Sequence, residues 1–369
     1  MESDCPVITD ATPSGIRHSP FAIRHYAGAF LACYALFSSF IFYVNFVQYA
    51  LLRRAAAALG LGERDLAPGF ALLALGGIAG SLLAGRLIDR RKLAQRAIAR
   101  AAGLLSLAAA GAAAGAMLAP SRGTLIVAFA PLGLALGLLI VSLLTLFSLA
   151  VPADRRGLAA GATAGAIYSI ASLLGWAARR PEAVAAFDMA LIGSNIIIVL
   201  LPGAFARTAP PLGRPGAIGA MLRRLLPLAA VVFADTALFV LVSRAPGETA
   251  ILASARDWRW FGAAHLLGAV GAGLLYGRLG WRRLNRAAAC GLGALALLYL
   301  LHRFAAGVFG LPILLVYGAT VGVYTTALFA VFGDETSSDN PAYGIAWGMV
   351  LVGWVASPAG IALGTALVG

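Results

Sequence analysis

The residue best placed to do chemistry in this chain is an acid set among hydrocarbon. Asp235 lies within Val-Val-Phe-Ala-Asp-Thr-Ala-Leu-Phe-Val, and a carboxylate there costs several kcal/mol unless it is paired, hydrated or protonated. Two readings stand side by side: a group facing an interior cavity that carries a proton or binds a cation, or a helix-to-helix hydrogen bond with no further role. A second set of polar groups sits on an early apolar stretch. Tyr34, Ser38, Asn45, Gln48 and Tyr49 fall within an arc of roughly 100° at 100° per residue, which reads as a cavity wall or as polar glue between helices. Asn45 is the member best suited to the cavity.

Later in the chain Tyr317, Thr320 and Tyr324 share one helical face, and Tyr343, Trp347 and Trp354 share another. Aromatic stripes serve packing or the membrane interface more often than ligand binding. His265 reads as a proton relay or as a histidine bonded to a neighbour. Tyr168, Ser172 and Asn195 rank below these.

All of these residues need a membrane around them. The 369 residues are 61% hydrophobic and 12% charged, with mean hydropathy +0.88, which excludes a water-soluble globule of this size. The expected class is all-α, a polytopic membrane helix bundle. A net charge of +13 would suggest nucleic acid in a soluble domain. Here the arginines sit in short segments between apolar runs and set topology instead.

Cys5, Cys33 and Cys290 are isolated and odd in number, so neither a disulfide framework nor a metal site follows, and no cofactor is expected. No paired-aspartate motif, metal-ligand cluster or serine with a histidine partner marks an enzyme. No Arg or Lys falls mid-run, which leaves an anionic substrate without a counter-charge.

Eleven runs approach the roughly 20 apolar residues that a spanning helix needs: 26–52, 67–87, 97–118, 124–151, 158–176, 184–206, 225–242, 260–276, 287–301, 307–332 and 343–368. The ninth is short, and Pro358 interrupts the eleventh. With the N-terminus inside, 18 of the 28 basic residues fall in inner segments, so the positive-inside rule gives a cytoplasmic N-terminus. Residues 1–25, which lack the pattern of a secretory signal, read as a cytoplasmic tail. A Pro/Gly-rich connector within 207–224 separates an N-terminal half, 26–206, with six helices, from a C-terminal half, 225–369, with five.

The halves repeat a motif. Gly85-Arg-Leu-Ile-Asp-Arg-Arg-Lys92 follows the second run, and Gly277-Arg-Leu-Gly-Trp-Arg-Arg-Leu284 follows the eighth, residue 277 against residue 85, an offset of 192. Such an offset between hydrophobic-then-basic units marks a duplicated transporter. Small residues also recur every fourth position, at Gly157, Gly161 and Gly165 and again at Gly344 and Gly348. That spacing lets helix backbones approach closely.

Gly85, Leu87, Asp89 and Arg90 resemble the loop motif of the major facilitator superfamily, secondary transporters of two six-helix halves. Lys92 stands where the family usually has glycine, and Trp281 replaces the aspartate in the second copy. The resemblance implies that helices one, seven and ten line a central cavity, which raises Asn45, Asp235 and Tyr324. It also implies that Asp89 meets the start of the eleventh helix and nearby arginines, with Arg90, Arg155 and Arg156 as partners, latching the cytoplasmic side. By its own helix dipole Asp89 is misplaced, since an anion is unfavourable at a helix C-terminus. The acidic segment 333–340 could face the basic loops.

There are departures from the family. Phe129 and Leu132 stand where its fourth-helix motif has Arg and Gln, the fifth helix lacks the antiporter Gly-Pro, and a twelfth helix is missing. The expectation is a multi-pass protein of the cytoplasmic (inner) membrane. Its function reads as secondary active transport of a neutral or cationic amphipathic small molecule by alternating access, with the proton as candidate coupling ion. The rival is a non-transporting assembly factor for another membrane complex, with a membrane protein as partner. Substrate and coupling candidates are Asp235, Asn45, Gln48, Tyr34, Tyr324, Tyr317, Trp347 and His265; gating candidates are Asp89, Arg90, Gly85, Arg155 and Arg156.

Overall fold

The eleven apolar runs are mainly helical over their described residues in the computed structural model, the sixth being broken by a turn at Ser194–Asn195; the structure describes residues 20–177, 181–206, 217–244, 255–304 and 309–368. Helix is the physical default for such runs, because a bilayer offers no water to satisfy backbone N–H and C=O groups. In chain order the helices are α1 (Pro20–Ile41), α2 (Leu51–Leu59), α3 (Glu63–Arg90), α4 (Gln95–Met117), α5 (Arg122–Ala150), α6 (Ala153–Ala177), α7 (Pro181–Gly193) and α8 (Ile196–Leu200). After residues 207–216, where the Pro/Gly connector falls and which lie outside the described residues, come α9 (Ile218–Arg244), α10 (Ala255–Phe304), α11 (Gly310–Glu335), α12 (Pro341–Met349) and α13 (Ser357–Val368). Helix α9 thus begins seven residues before the end of the expected connector.

Two stretches are wound more loosely. Phe42–Ala50, between α1 and α2, and Val350–Ala356, between α12 and α13, are π-helical, a form that recurs at functional sites. Pro358 lies two residues after the second, in the first turn of α13. Its missing N–H and its ring would break an α-helix, and the wider turn absorbs that disruption: the Ser357 N–H reaches Val352 O, five residues back.

The eighth and ninth runs are continuous in α10, but Gly280 has φ 68° and ψ 165°, a conformation that glycine adopts without a Cβ clash. The two arms reverse there. Both lie against the same stretch of α11: Gly268 meets Ala319 and Gly291 meets Thr320, which is only open to a hairpin. Nine helices among the described residues are long and apolar enough to cross a membrane, α10 being one of them as a single 48-residue stretch.

Close backbone approach organises the rest. Gly157, Gly161 and Gly165 of α6 face Tyr276, Gly273 and Leu266 of α10, so the four-residue spacing builds a helix-to-helix seam. Helix α3 packs on α5 and on α12, and α13 on α9. The most enclosed spans are α11, with 72% of its apolar window buried, and the first, with 67%, against 33% for α3 and α10. The interior of the bundle is therefore built around α11 and the π-helical end of α1.

Candidate functional site

Asp235 on α9 is 5% exposed. The hydroxyl of Tyr324 donates to its Oδ2 at 2.5 Å, while Oδ1 is buried with no hydrogen-bond partner. Tyr317, seven residues earlier on α11 and so on the same face, is the second phenol beside the carboxyl. Tyr168 of α6 is the third to feel its charge. The Tyr168 ring lies 4.7 Å from that of His265 on α10. Phe261, one turn away, lies 6.4 Å from His265 and 5.3 Å from Tyr317. His265 is fully buried; its Nε2 is 3.5 Å from Thr325 Oγ1 and its Nδ1 has no partner.

Tyr43, on the first π-helical segment, acts on Tyr168 and stands edge-on to Trp354 at 6.3 Å. Trp354 in turn donates its indole N–H to Ser81 Oγ at 3.0 Å. One acid with an unfilled acceptor therefore lies among three phenols, an imidazole and aromatic faces drawn from five different elements. Such a site can hold a cation, by charge and by the ring faces, or a neutral hydrogen-bonding group.

The Arg-rich face is tied shut. Asp89, at the end of α3, accepts the backbone N–H of Ala342 at 3.1 Å on Oδ1 and that of Tyr343 at 2.7 Å on Oδ2. These are the free donors of the first turn of α12, so the anion misplaced on its own helix sits well on another. The contact requires Gly85: a Cβ there would come within 2.8 Å of Ala342 O, Tyr343 Cα and Ala346 Cβ. Arg86 lies over the Tyr343 ring at 5.5 Å.

Beside this latch, Arg156 at the start of α6 pairs with Asp334 at the end of α11, and its Nη2 donates to Ser148 O at 3.1 Å. Tyr276 O–H donates to the other Asp334 oxygen at 2.7 Å. Glu335, 2% exposed, takes Arg224 at 2.8 Å and the Trp281 indole N–H at 2.9 Å. Trp281, which stands where the second copy of the motif would have its aspartate, thus serves as a donor to an acid supplied from α11.

Three solved structures share this fold. FucP, an outward-conformation transporter of the major facilitator superfamily, superimposes with a TM-score of 0.63 at 19% identity over 93% of this chain and 91% of that one. A second structure of FucP, the E. coli fucose:proton symporter, gives 0.60 at 19% over the same shares. The proton:xylose symporter XylE, bound to 6-bromo-6-deoxy-D-glucose, gives 0.60 at 15% over 91% and 87%. The family model described as Major Facilitator Superfamily matches residues 8–176. The chain therefore has the fold of these structures, and the family's sequence pattern over those residues. No curated protein matches it.

Within that fold the residues singled out from sequence go to different places. Asp235, Tyr324, Tyr317 and His265 come together. Tyr34 does not join them: its hydroxyl is 2.6 Å from Ser194 Oγ. Ser38 donates to Asn195 Oδ1 at 2.7 Å, and Asn195 donates to Ser39 and Ser106 at 3.2 and 3.1 Å. These residues knit α1 to α4 and to the α7–α8 turn. Asn45 is 3% exposed and faces Asp188 of α7. Gln48 and Tyr49 lie on the π-helical segment with side chains outside the described residues. Trp347 meets Tyr343 edge-on at 6.2 Å, on α12 near the latch.

The arginine partners expected for Asp89 are corrected. Arg90 is exposed; Arg155 lies 3.9 Å from Asp154 and over the Tyr26 ring at 5.1 Å; Arg156 takes Asp334. The neighbours of Asp89 are backbone N–H groups, which no residue pattern could announce. Asp188 was not singled out at all, although it carries the same signal as Asp235, an acid within an apolar run, Val-Ala-Ala-Phe-Asp-Met-Ala-Leu.

Proposed function

We propose that this chain is a secondary active transporter of a neutral or cationic amphipathic small molecule in the cytoplasmic membrane, working by alternating access with Asp235 as the recognition or coupling acid. The observation that carries this reading is the carboxyl of Asp235: enclosed, bonded on one oxygen by Tyr324, free on the other, and walled by aromatic rings. An acid serving only to join two helices has no need of an unfilled acceptor or of three phenols.

The closed Arg-rich face supports the alternating-access half of the proposal. The Asp89 contact with α12 and the Arg156–Asp334 pair join helix ends of the two halves and would part when that face opens, while the Asp235 group lies deeper. Symporters that couple fucose or xylose to protons have this fold, which supports the proton as coupling ion here. Nothing in the geometry favours the assembly-factor reading.

The test is uptake by purified protein in proteoliposomes, under an imposed pH gradient, from a panel of organic cations and uncharged amphiphiles. Saturable uptake that collapses with the gradient supports the proposal. No flux of any panel member through folded protein would count against it.

A further inference from the structure

A second buried acid lies across the π-helical segment from Asp235. Asp188 on α7 is 0% exposed, and among the described residues neither of its carboxyl oxygens has a partner at full hydrogen-bond geometry, the Asn45 carboxamide being the polar group that comes nearest to making one. Its polar neighbour is Asn45, 3% exposed, whose Nδ2 is also buried and unbonded. A buried donor and a buried acceptor left open on facing side chains is an arrangement that folded proteins rarely tolerate without a reason.

The elements packed on α7 are the π-helical segment, α1, α2, α4 and the α7–α8 turn. Tyr34 of α1 is engaged with Ser194, and Ser106 of α4 with Asn195 and Ala102 O. The charged groups on these elements are Arg24 of α1, which also carries His25, both with side chains outside the described residues, Arg53 and Arg54 of α2, and Arg96 and Arg100 of α4, together with Glu182 on α7 itself. Burial and Asn45 alone set the surroundings of the Asp188 carboxyl among the described residues.

The placement of Asn45 ties this acid to the first one. Tyr43 and Asn45 are two positions apart, about half a turn of this wider helix, so they leave the segment on opposite sides. Tyr43 faces Trp354 and Tyr168 beside Asp235; Asn45 faces Asp188. One short segment, in a loosened helical form, thus separates two buried acids.

We propose that Asp188 and Asn45 form a second, exchangeable proton site that acts on the Asp235 group through the π-helical segment Phe42–Ala50. When the carboxylate takes a proton from hydronium, a new carboxyl O–H bond forms as one hydronium O–H bond breaks and water is released. The neutral acid then pairs with the carboxamide: O–H donates to Asn45 Oδ1, and Nδ2–H donates to the remaining carboxyl oxygen. Losing the proton to water leaves a charge with a single donor, and the segment carrying Asn45 must shift to shield it. A metal cation fits less well, since hard cations collect several oxygen ligands and the buried, unbonded atom Asn45 brings is a nitrogen donor. The site is independent of whether the chain carries a substrate.

The test uses the full-length protein in detergent, treated with dicyclohexylcarbodiimide, an apolar reagent that modifies protonated carboxyl groups, with the modified peptides read by mass spectrometry from acidic to alkaline buffer. Asp188 is expected to be modified in acid, with a loss of about tenfold or more on passing through one titration. Asn45→Leu is expected to move its midpoint. Amide hydrogen exchange across 42–50, corrected for intrinsic rates, is expected to change several-fold over the same pH range in the native protein and not in Asp188→Asn. If Asp188→Asn does not fold, the native protein's modification profile still decides. Modification of Asp188 that is flat with pH, absent while Asp235 reacts, or blocked by sodium at constant pH would overturn the proposal. A titrating Asp188 in a protein without flux would contradict the transport reading alone.

Discussion

Arg156 and Asp334 form an ion pair between residues 178 positions apart in the chain. The arginine opens α6 and the aspartate ends α11, so the pair joins the two halves of the sequence across the Arg-rich face. Tyr276 completes it from α10. With the Asp89 contact beside it, this face is held by charges that each find a partner on the other half.

Removing one member of that pair leaves the other poorly solvated, a loss of about 2–5 kcal/mol in such interfaces. Arg156→Ala is expected to raise hydrogen exchange at the end of α11 and the start of α12. Arg156→Lys, which keeps the charge and loses the planar fork, is expected to fall between. Exchange in Arg156→Ala equal to that of the native protein would show that the pair holds nothing closed.

The Asp89 carboxylate behaves as a helix cap supplied from a different helix. Losing a capping side chain costs about 0.5–2 kcal/mol. Exchange of the Ala342 and Tyr343 amides is therefore expected to quicken about 2- to 30-fold in Asp89→Ala. Asp89→Asn, which retains an acceptor oxygen, is expected to quicken them less. Equal effects from both substitutions would assign the contact to charge alone.

The architecture was legible because it follows from solvent: apolar runs of spanning length, basic segments between them, and glycines at four-residue spacing. The offset between Gly85 and Gly277 was visible for the same reason. Distances across the bundle were not legible. Tyr34 and Asn45 share a stripe on one helix, yet the structure sends the first to Ser194 and the second to Asp188, because two different neighbours touch that stripe. The partners of Asp89 are backbone amides and carry no residue signature. The loosening at 42–50 has no proline or glycine to announce it.

The α6–α10 seam is close enough to be tested by volume. A Cβ on Gly161 would lie 2.9 Å from Gly273 Cα and closer still to Ala269 O. Gly161→Val forces the helices apart and is expected to abolish monodisperse protein in detergent or to lower Tm by several degrees. Gly111→Val, at a position with open space around it, is the control expected to leave Tm unchanged. Matching behaviour of the two variants would remove the seam from the account.

Tyr324 donates to Asp235 Oδ2 at 2.5 Å, and a hydrogen bond to a charged group is worth about 1.5–3 kcal/mol. Tyr324→Phe is expected to weaken binding of a cationic substrate or shift its pH dependence, by about 10- to 100-fold in apparent affinity. His265→Gln, one shell further from the carboxyl, is expected to do less. A Tyr324→Phe protein with native affinity and native pH profile would place the phenol outside the site.

The most direct measurement is substrate uptake against external pH in proteoliposomes, for the native protein and for Asp235→Asn at equal incorporation. Uptake is expected to follow the imposed proton gradient in the native protein and to lose that dependence in the variant, with exchange across the membrane retained or abolished together with binding. Uptake by Asp235→Asn that keeps the native rate and the native pH dependence would contradict that expectation.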